Sequence, residues 1–319
     1  MACGLLLGGC STTNHQAFFD AHEKAFKTKN NYQTHFIQRE LGKIHAREFG
    51  KQTDKATLLL MHGFPDNMHL YDRLIPEFSK DQHIISFDFL GWGGSDKPKK
   101  NRYDFSSLKL DLETVIKYFK LDNVVLVVHD ASGIPGIDWA LEHPGKIAGL
   151  VLLNTMYSPM PTLKAPEAIQ LFSTHGVRRT VSIWATSFSD ALWIKRYNEQ
   201  IARFISSKEL RETFQKVLGH QSFGIRNAFY DLNDVLQESV RERASKVPLL
   251  KTFKPPVLIV FGDDDPYLNS GVAKEFHKIF PNSKLALLKN AGHFVQVDAP
   301  KRVVYLLESF LQSNSATHR

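Results

Sequence analysis

Two groups able to attack carbon stand two residues apart in NVVLVVHDASG, residues 123–133: the carboxylate of Asp130 and the hydroxyl of Ser132. A nucleophile held on a strained strand-to-helix corner needs small neighbours two residues before it and two or three after, because the backbone folds tightly there. With Asp130 at the corner, Ser132 and Gly133 follow, and Val128 stands where a glycine is usual. With Ser132 there, Asp130 and Ile134 crowd both sides and Pro135 falls inside the first helical turn. The pattern favours Asp130. A carboxylate, with a pKa near about 4, is already ionised at neutral pH, whereas a serine needs a base to activate it. An aspartate attacking sp3 carbon forms an alkyl ester, which water must then hydrolyse.

That hydrolysis requires a base and donors for the oxyanion that forms on the Asp130 carboxyl. LLLMHGFPDN places Gly63 and Phe64 directly after a strand, so the N–H of Phe64 can turn toward a reacting oxygen, joined by that of Ala131. NAGHFVQVDAP supplies His293 as base. VLIVFGDDDPYL supplies an acid to orient it. Of Asp263, Asp264 and Asp265, the last is far enough beyond the strand end to reach back to an imidazole. The other two are expected to face solvent or cap a turn.

These residues need a scaffold that delivers several strand ends to one edge. Short apolar runs recur at 57–61, 83–89, 124–128, 149–153, 257–261 and 284–288, each followed by turn residues and then a helical stretch. Continuous rather than alternating hydrophobicity marks strands buried on both faces, hence a mostly parallel sheet in an α/β fold. Leu108, Leu112, Val115, Ile116 and Phe119 repeat as one face of a flanking helix.

The alternation fails between about Met156 and Leu250, where helical patterns dominate: Trp193, Tyr197, Ile201 and Phe204 share a face, and Pro159, Pro161 and Pro166 mark the entry. The expected organisation is an N-terminal segment over 1–34, a core over 35–155, a helical cap over 156–250 and the rest of the core over 251–319. Residues 11–34 read as a polar, loosely held lead-in. The substrate pocket should lie between the strand ends and the cap, whose composition suits a small apolar molecule.

At 319 residues with 43% hydrophobic content, the chain can bury a large core. Its net charge of +7 is interleaved with acids except at Lys97, Lys99, Lys100 and Arg102, which reads as a solvated loop, and no nucleic-acid motif accompanies it. Both cysteines, Cys3 and Cys10, fall in the first ten residues, so the body has no internal disulfide or cysteine site. LLLGGCSTTN is similar to the lipobox of a bacterial lipoprotein signal, which would lipidate Cys10 and attach the chain to a membrane in the cell envelope. The stretch before it is short and lacks a basic region, so an unprocessed N-terminus and a cytoplasmic protein stay open.

Over roughly residues 35 to 312 the chain resembles the α/β-hydrolase superfamily, in the branch that holds epoxide hydrolases and haloalkane dehalogenases. HGFPD, FDFLGWGGSDKP, VVHDASG, PGKIAGLVLLNT and AGHFVQVDAP carry the likeness, and the order nucleophile, acid, histidine is that of the superfamily. The resemblance implies Asp130 as nucleophile, His293 as base, Asp265 as acid, Phe64 and Ala131 as oxyanion donors, water as co-substrate, and no metal or organic cofactor. Dehalogenases of the branch commonly carry a tryptophan after the nucleophile, where this chain has Ala131, so halide binding would fall to Trp184 or Trp193. Epoxide hydrolases use proton donors from the cap, for which Tyr230, His175 and Tyr197 are the candidates. Epoxide opening is the leading reading. A dehalogenase, an esterase using Ser132 and a non-catalytic binding module are the alternatives.

Overall fold

The computed structural model describes residues 9–78 and 81–315. Cys3 lies outside the described residues, as does the side chain of Cys10. Eight strands form one sheet: β1 (Tyr32–Arg39), β2 (Gly42–Phe49), β3 (Thr57–Met61), β4 (Ile84–Phe87), β5 (Val124–Asp130), β6 (Ile147–Thr155), β7 (Val257–Gly262) and β8 (Ser283–Leu288). Their order is β1-β2-β4-β3-β5-β6-β7-β8. Only β2 runs against its neighbours, and every other adjacent pair is parallel. Strands β3, β4 and β5 are buried along their whole length, which is why their sequences are apolar without alternation.

The six apolar runs read from the sequence are β3 to β8. The β1–β2 hairpin was not among them. Its strands carry alternating exposed and buried residues, with Gln33, Gln38, Lys43 and Glu48 among the polar members, so they lack a continuous apolar signal.

The helices are α1 (Gly9–Lys29), α2 (Phe105–Tyr118), α3 (Gly133–Glu142), α4 (Glu167–Ser173), α5 (Val177–Phe188), α6 (Asp190–Phe204), α7 (Lys208–Gln221), α8 (Arg226–Glu242), α9 (Val247–Leu250), α10 (Ser270–Ile279), α11 (Val295–Asp298) and α12 (Pro300–Ser315). Six of them, α4 to α9, lie between β6 and β7, and the described residues there contain no strand. Helix α6 buries Trp193, Tyr197, Ile201 and Phe204 together with Gln200.

The expected loose lead-in is instead a docked helix. Glu23 of α1 pairs with the buried Arg47, His22 meets Asp72 at 2.8 Å, and Phe26 packs into the core beside Tyr32 and Phe49. On its other side, Phe19 stacks 4.7 Å from His220 and Phe18 lies under Lys216, both on α7. The helix is held by a short row of aromatic and titratable side chains in an otherwise polar stretch, a pattern that composition alone conceals. In the basic loop Lys99, Lys100 and Arg102 are exposed as expected, whereas Lys97 is half-buried and donates to the carbonyls of Gly93 and Ser95 at 2.7 and 2.8 Å.

Candidate active site

Asp130 closes β5 with φ at +49°, in the left-handed region that side chains other than glycine rarely occupy. The pairing of β5 with β6 shifts register between His129 and Asp130, so the strand breaks at this corner. Thr155 holds the Asp130 carbonyl through its hydroxyl. The corner is made possible by small residues around it. A Cβ on Gly63 would fall 2.6 Å from Cβ of Asp130, so only glycine lets the β3 loop approach. Val128 is accommodated because α3 places Gly136 against it, where an added Cβ would lie 2.5 Å from Val128 Cγ1. The space usually given by a strand glycine is provided here by the helix.

The N–H of Phe64 donates to Asp130 Oδ2 at 3.0 Å, and the N–H of Ala131, beside the same carboxyl, favours its charged form. The other oxygen, Oδ1, faces His293 Nε2 at 3.8 Å. Nδ1 of His293 lies 2.7 Å from Asp265 Oδ2. Asp265 is itself fixed, accepting from the Tyr267 and Leu268 N–H groups at 2.9 and 3.2 Å and from Asn154 Nδ2 at 3.0 Å. Asp263 and Asp264 are exposed.

Electrostatics follow from this packing. Burial pushes the Asp130 carboxyl above its usual range, opposed by His293 and by the two backbone N–H groups. Burial also disfavours a charged His293, but Asp265, then Asp130 and Asp66, outweigh it and raise the imidazole to about 9. Burial raises Asp265 too, and His293 outweighs that effect, leaving the carboxyl below the usual range. At neutral pH this favours His293 as an imidazolium, set between the Asp265 carboxylate and the Asp130 carboxyl. Such an arrangement can deliver a carboxylate oxygen to a carbon centre and later take a proton from water.

Ser132 has a different role. Its hydroxyl sits 3.1 Å from the Met61 carbonyl and 2.8 Å from that of His129, and accepts from the His129 N–H at 2.9 Å. It is buried at the start of α3 and does not line the cavity into which Asp130 opens. His62 pins the β3 loop: Nδ1 lies 2.7 Å from the Gly63 carbonyl, and Nε2 accepts from the Phe89 N–H at 3.1 Å.

The residues expected to donate protons or bind halide are scattered. His175 is exposed and faces Asp234 at 3.4 Å, so it is no part of the site. Tyr230 is buried, but its hydroxyl is engaged with Thr186 at 2.7 Å and lies outside the cavity lining. Tyr197 is set against the loop after β3, its hydroxyl donating to the Pro65 carbonyl at 3.3 Å, and it too is outside the cavity lining. Trp184 is on the outer surface, and the indole N–H of Trp193 is used by the Ser222 carbonyl at 3.0 Å. Helix packing within the insertion decided these placements, and no sequence spacing encodes it.

Two buried polar residues near the triad were not singled out from sequence. Asn154, with φ of +25°, links three pieces: its side chain donates to Asp265 and to the Leu268 carbonyl and accepts from the Gly262 N–H at 2.8 Å. Its one signal was a polar residue ending the apolar run LVLLNT. Asp66, in HGFPD, is buried with no hydrogen-bond partner for either oxygen, 4.0 Å from His129 Nδ1. Burial, with help from Asp130, raises its carboxyl to about 8.

The cavity that Asp130, His293 and Phe64 line is about 330 Å3 and is otherwise mainly apolar, with Met160, Ile169 and Leu236 in its wall. A family model described as alpha/beta hydrolase fold matches residues 56–300, and the chain belongs to that family. It is an enzyme of the α/β-hydrolase family, and its relatives include epoxide hydrolases and haloalkane dehalogenases. Epoxide hydrolase 3 of Xenopus tropicalis is 24% identical over 283 residues, covering 82% of this chain and 73% of that protein. A haloalkane dehalogenase of Psychrobacter cryohalolentis is 25% identical over 297 residues, covering 85% and 88%. Among solved structures, a loop variant of the haloalkane dehalogenase DbeA from Bradyrhizobium elkanii superposes with a TM-score of 0.72 at 19% identity, covering 90% of this chain and 99% of that one.

Proposed function

We propose that this chain hydrolyses small apolar epoxides through an ester on Asp130, with the six-helix insertion serving as the cap of the pocket. The observation that carries this reading is the asymmetry of the Asp130 carboxylate. Oδ2 is held by the Phe64 N–H, while Oδ1 is turned toward His293 without a direct hydrogen bond. Oδ1 attacks a ring carbon, the C–O bond of the ring breaks, and the alkoxide takes a proton from the cap.

Tyr197 is the donor we assign among the cap residues, because its hydroxyl abuts the loop after β3 and burial raises its pKa well above the usual value, keeping it protonated. Like Tyr230 it is outside the cavity lining, so donation requires its hydroxyl to turn from the Pro65 carbonyl toward the cavity. Ester formation removes the negative charge of Asp130 and with it one of the groups that raises His293. The imidazolium then gives up its proton more readily, that proton restores the Tyr197 phenolate to phenol, and the neutral imidazole becomes a base for water. Water attacks the ester carbonyl carbon, negative charge collects on Oδ2 between the Phe64 and Ala131 N–H groups, and collapse releases a diol and the carboxylate. Dehalogenation is the weaker reading, since neither Trp184 nor Trp193 presents a free indole N–H to the cavity.

The test is intact-protein mass of His293→Gln incubated separately with epoxides and bromoalkanes. An adduct equal to the whole epoxide, lost on Asp130→Asn, is the expected result. An adduct equal to the alkyl bromide less HBr would move the assignment to dehalogenation. No adduct on a folded protein, across both panels, would overturn the ester mechanism.

A further inference from the structure

Helix α5 turns Ile183 toward the core but carries four other apolar side chains on the wrong side for a helix that only packs onto its own protein. Val177, Val181, Trp184 and Phe188 are 80, 57, 66 and 79% exposed. Their spacing of four, three and four residues stacks them on one face. The rings of Trp184 and Phe188 touch at 5.6 Å, so the ridge is continuous at its end. The opposite face is satisfied by the insertion, with Thr186 buried and bonded to Tyr230. Scattered apolar residues on a surface need no explanation, but an aligned row of four with two aromatics does.

Charge indicates what covers it. From Gly176 to Ser189 the chain has two arginines and no acid. Arg179 is held by Asp234 at 2.6 Å, while Arg178 is exposed and has no ion pair among the described residues. The first acid beyond, Asp190, is paired with Arg226. The whole chain carries +7. A row ending in exposed indole and phenyl rings and flanked by the Arg178 guanidinium suits the headgroup boundary of a bilayer, where aromatic rings enter the acyl edge and cations stay with phosphate.

We propose that the outer face of α5 is a membrane-docking surface for anionic phospholipid. It is independent of any lipid on Cys10 and of the reaction at Asp130. It places the insertion, rather than the sheet, against the bilayer. Helix α4, which contributes Ile169 and Ser173 to the cavity wall, is then the neighbour of the lipid-bound helix in sequence.

The test uses the full chain with Cys10→Ser in every variant, so that no lipid is attached. Co-sedimentation is measured with vesicles of phosphatidylcholine alone and with added phosphatidylglycerol. Binding to the anionic vesicles, at least about tenfold weaker in Trp184→Ala/Phe188→Ala and weakened by salt, is expected. Arg178→Gln should lower binding to anionic vesicles alone, and thermal melting verifies that each variant is folded. Failure of the parent protein to sediment with either vesicle, or equal sedimentation of the folded double variant, would overturn the proposal. So would a stable dimer in light scattering that the double substitution dissociates, because the ridge would then be covered by a second copy.

Discussion

Oδ1 of Asp130 and Nε2 of His293 stand 3.8 Å apart, close enough for charge to couple the two groups but too far for a hydrogen bond to occupy that oxygen. In the proposed reaction, the coupling makes the first half change the acidity of the group needed for the second.

Kinetics should show this as two different pH limbs. Formation of the ester requires ionised Asp130, so its rate should fall on acidification through a pKa above the ordinary carboxylate range. Hydrolysis of the ester requires neutral His293, and its rate should rise with pH through a value below the resting value of about 9, since the Asp130 charge is gone. Single-turnover measurements of both steps across pH would expose a shared pKa if the coupling were absent.

Ser132→Ala should retain turnover within about tenfold and lose about 1–2 kcal/mol of stability, because its hydroxyl bridges strand backbone and does not reach the cavity. Denaturant melts and steady-state rates measure the two effects. Loss of all activity, or labelling of Ser132 by a fluorophosphonate, would return the serine reading.

Removing the Asn154 side chain leaves the Gly262 N–H unpaired and frees one side of Asp265. Asn154→Ala should slow ester hydrolysis more than ester formation, since it acts through His293, and should cost about 1–3 kcal/mol of stability. Accumulation of the mass adduct during turnover would reveal the split, whereas an equal slowing of both steps would contradict it.

Asp66 should make the fold less stable as pH rises. Its folded pKa of about 8 lies above the unfolded value, so the protonated form is favoured on folding and the associated stability is lost between roughly pH 4 and 8. Asp66→Asn, which cannot ionise, should gain stability relative to the parent over that window, by on the order of 1–3 kcal/mol more at pH 8 than at pH 5. Melting curves at the two pH values give the comparison.

Gly136→Ala should destabilise the elbow by about 1–3 kcal/mol by driving a methyl into Val128, and Val128→Ala should relieve part of that loss. A double-mutant cycle on unfolding free energy would return no coupling if the two residues did not compete for one space.

Much of the site was legible because its parts follow strands. Continuous apolar runs announced β3 to β8, and the residues just after three of them, Phe64, Asp130 and Asp265, could be named from where each run stops. His293 followed the last strand in the same way. The β1–β2 hairpin and α1 escaped because exposed polar residues interrupt their apolar positions, and the anchors that fix them, Arg47 and Asp72, are buried charges paired across distant segments.

By itself the sequence determined the parallel sheet, the helical insertion and the order of the chemical groups, since each depends on local runs, turns and side-chain types. Only the tertiary structure decided which groups meet. It turned Ser132 into the backbone and His175 out to solvent, engaged Tyr230 with Thr186, and brought Asn154 and Asp66 near the triad. Those outcomes depend on packing between segments far apart in the chain, where one helix rotation or one buried partner changes what a side chain faces, and no local pattern records it.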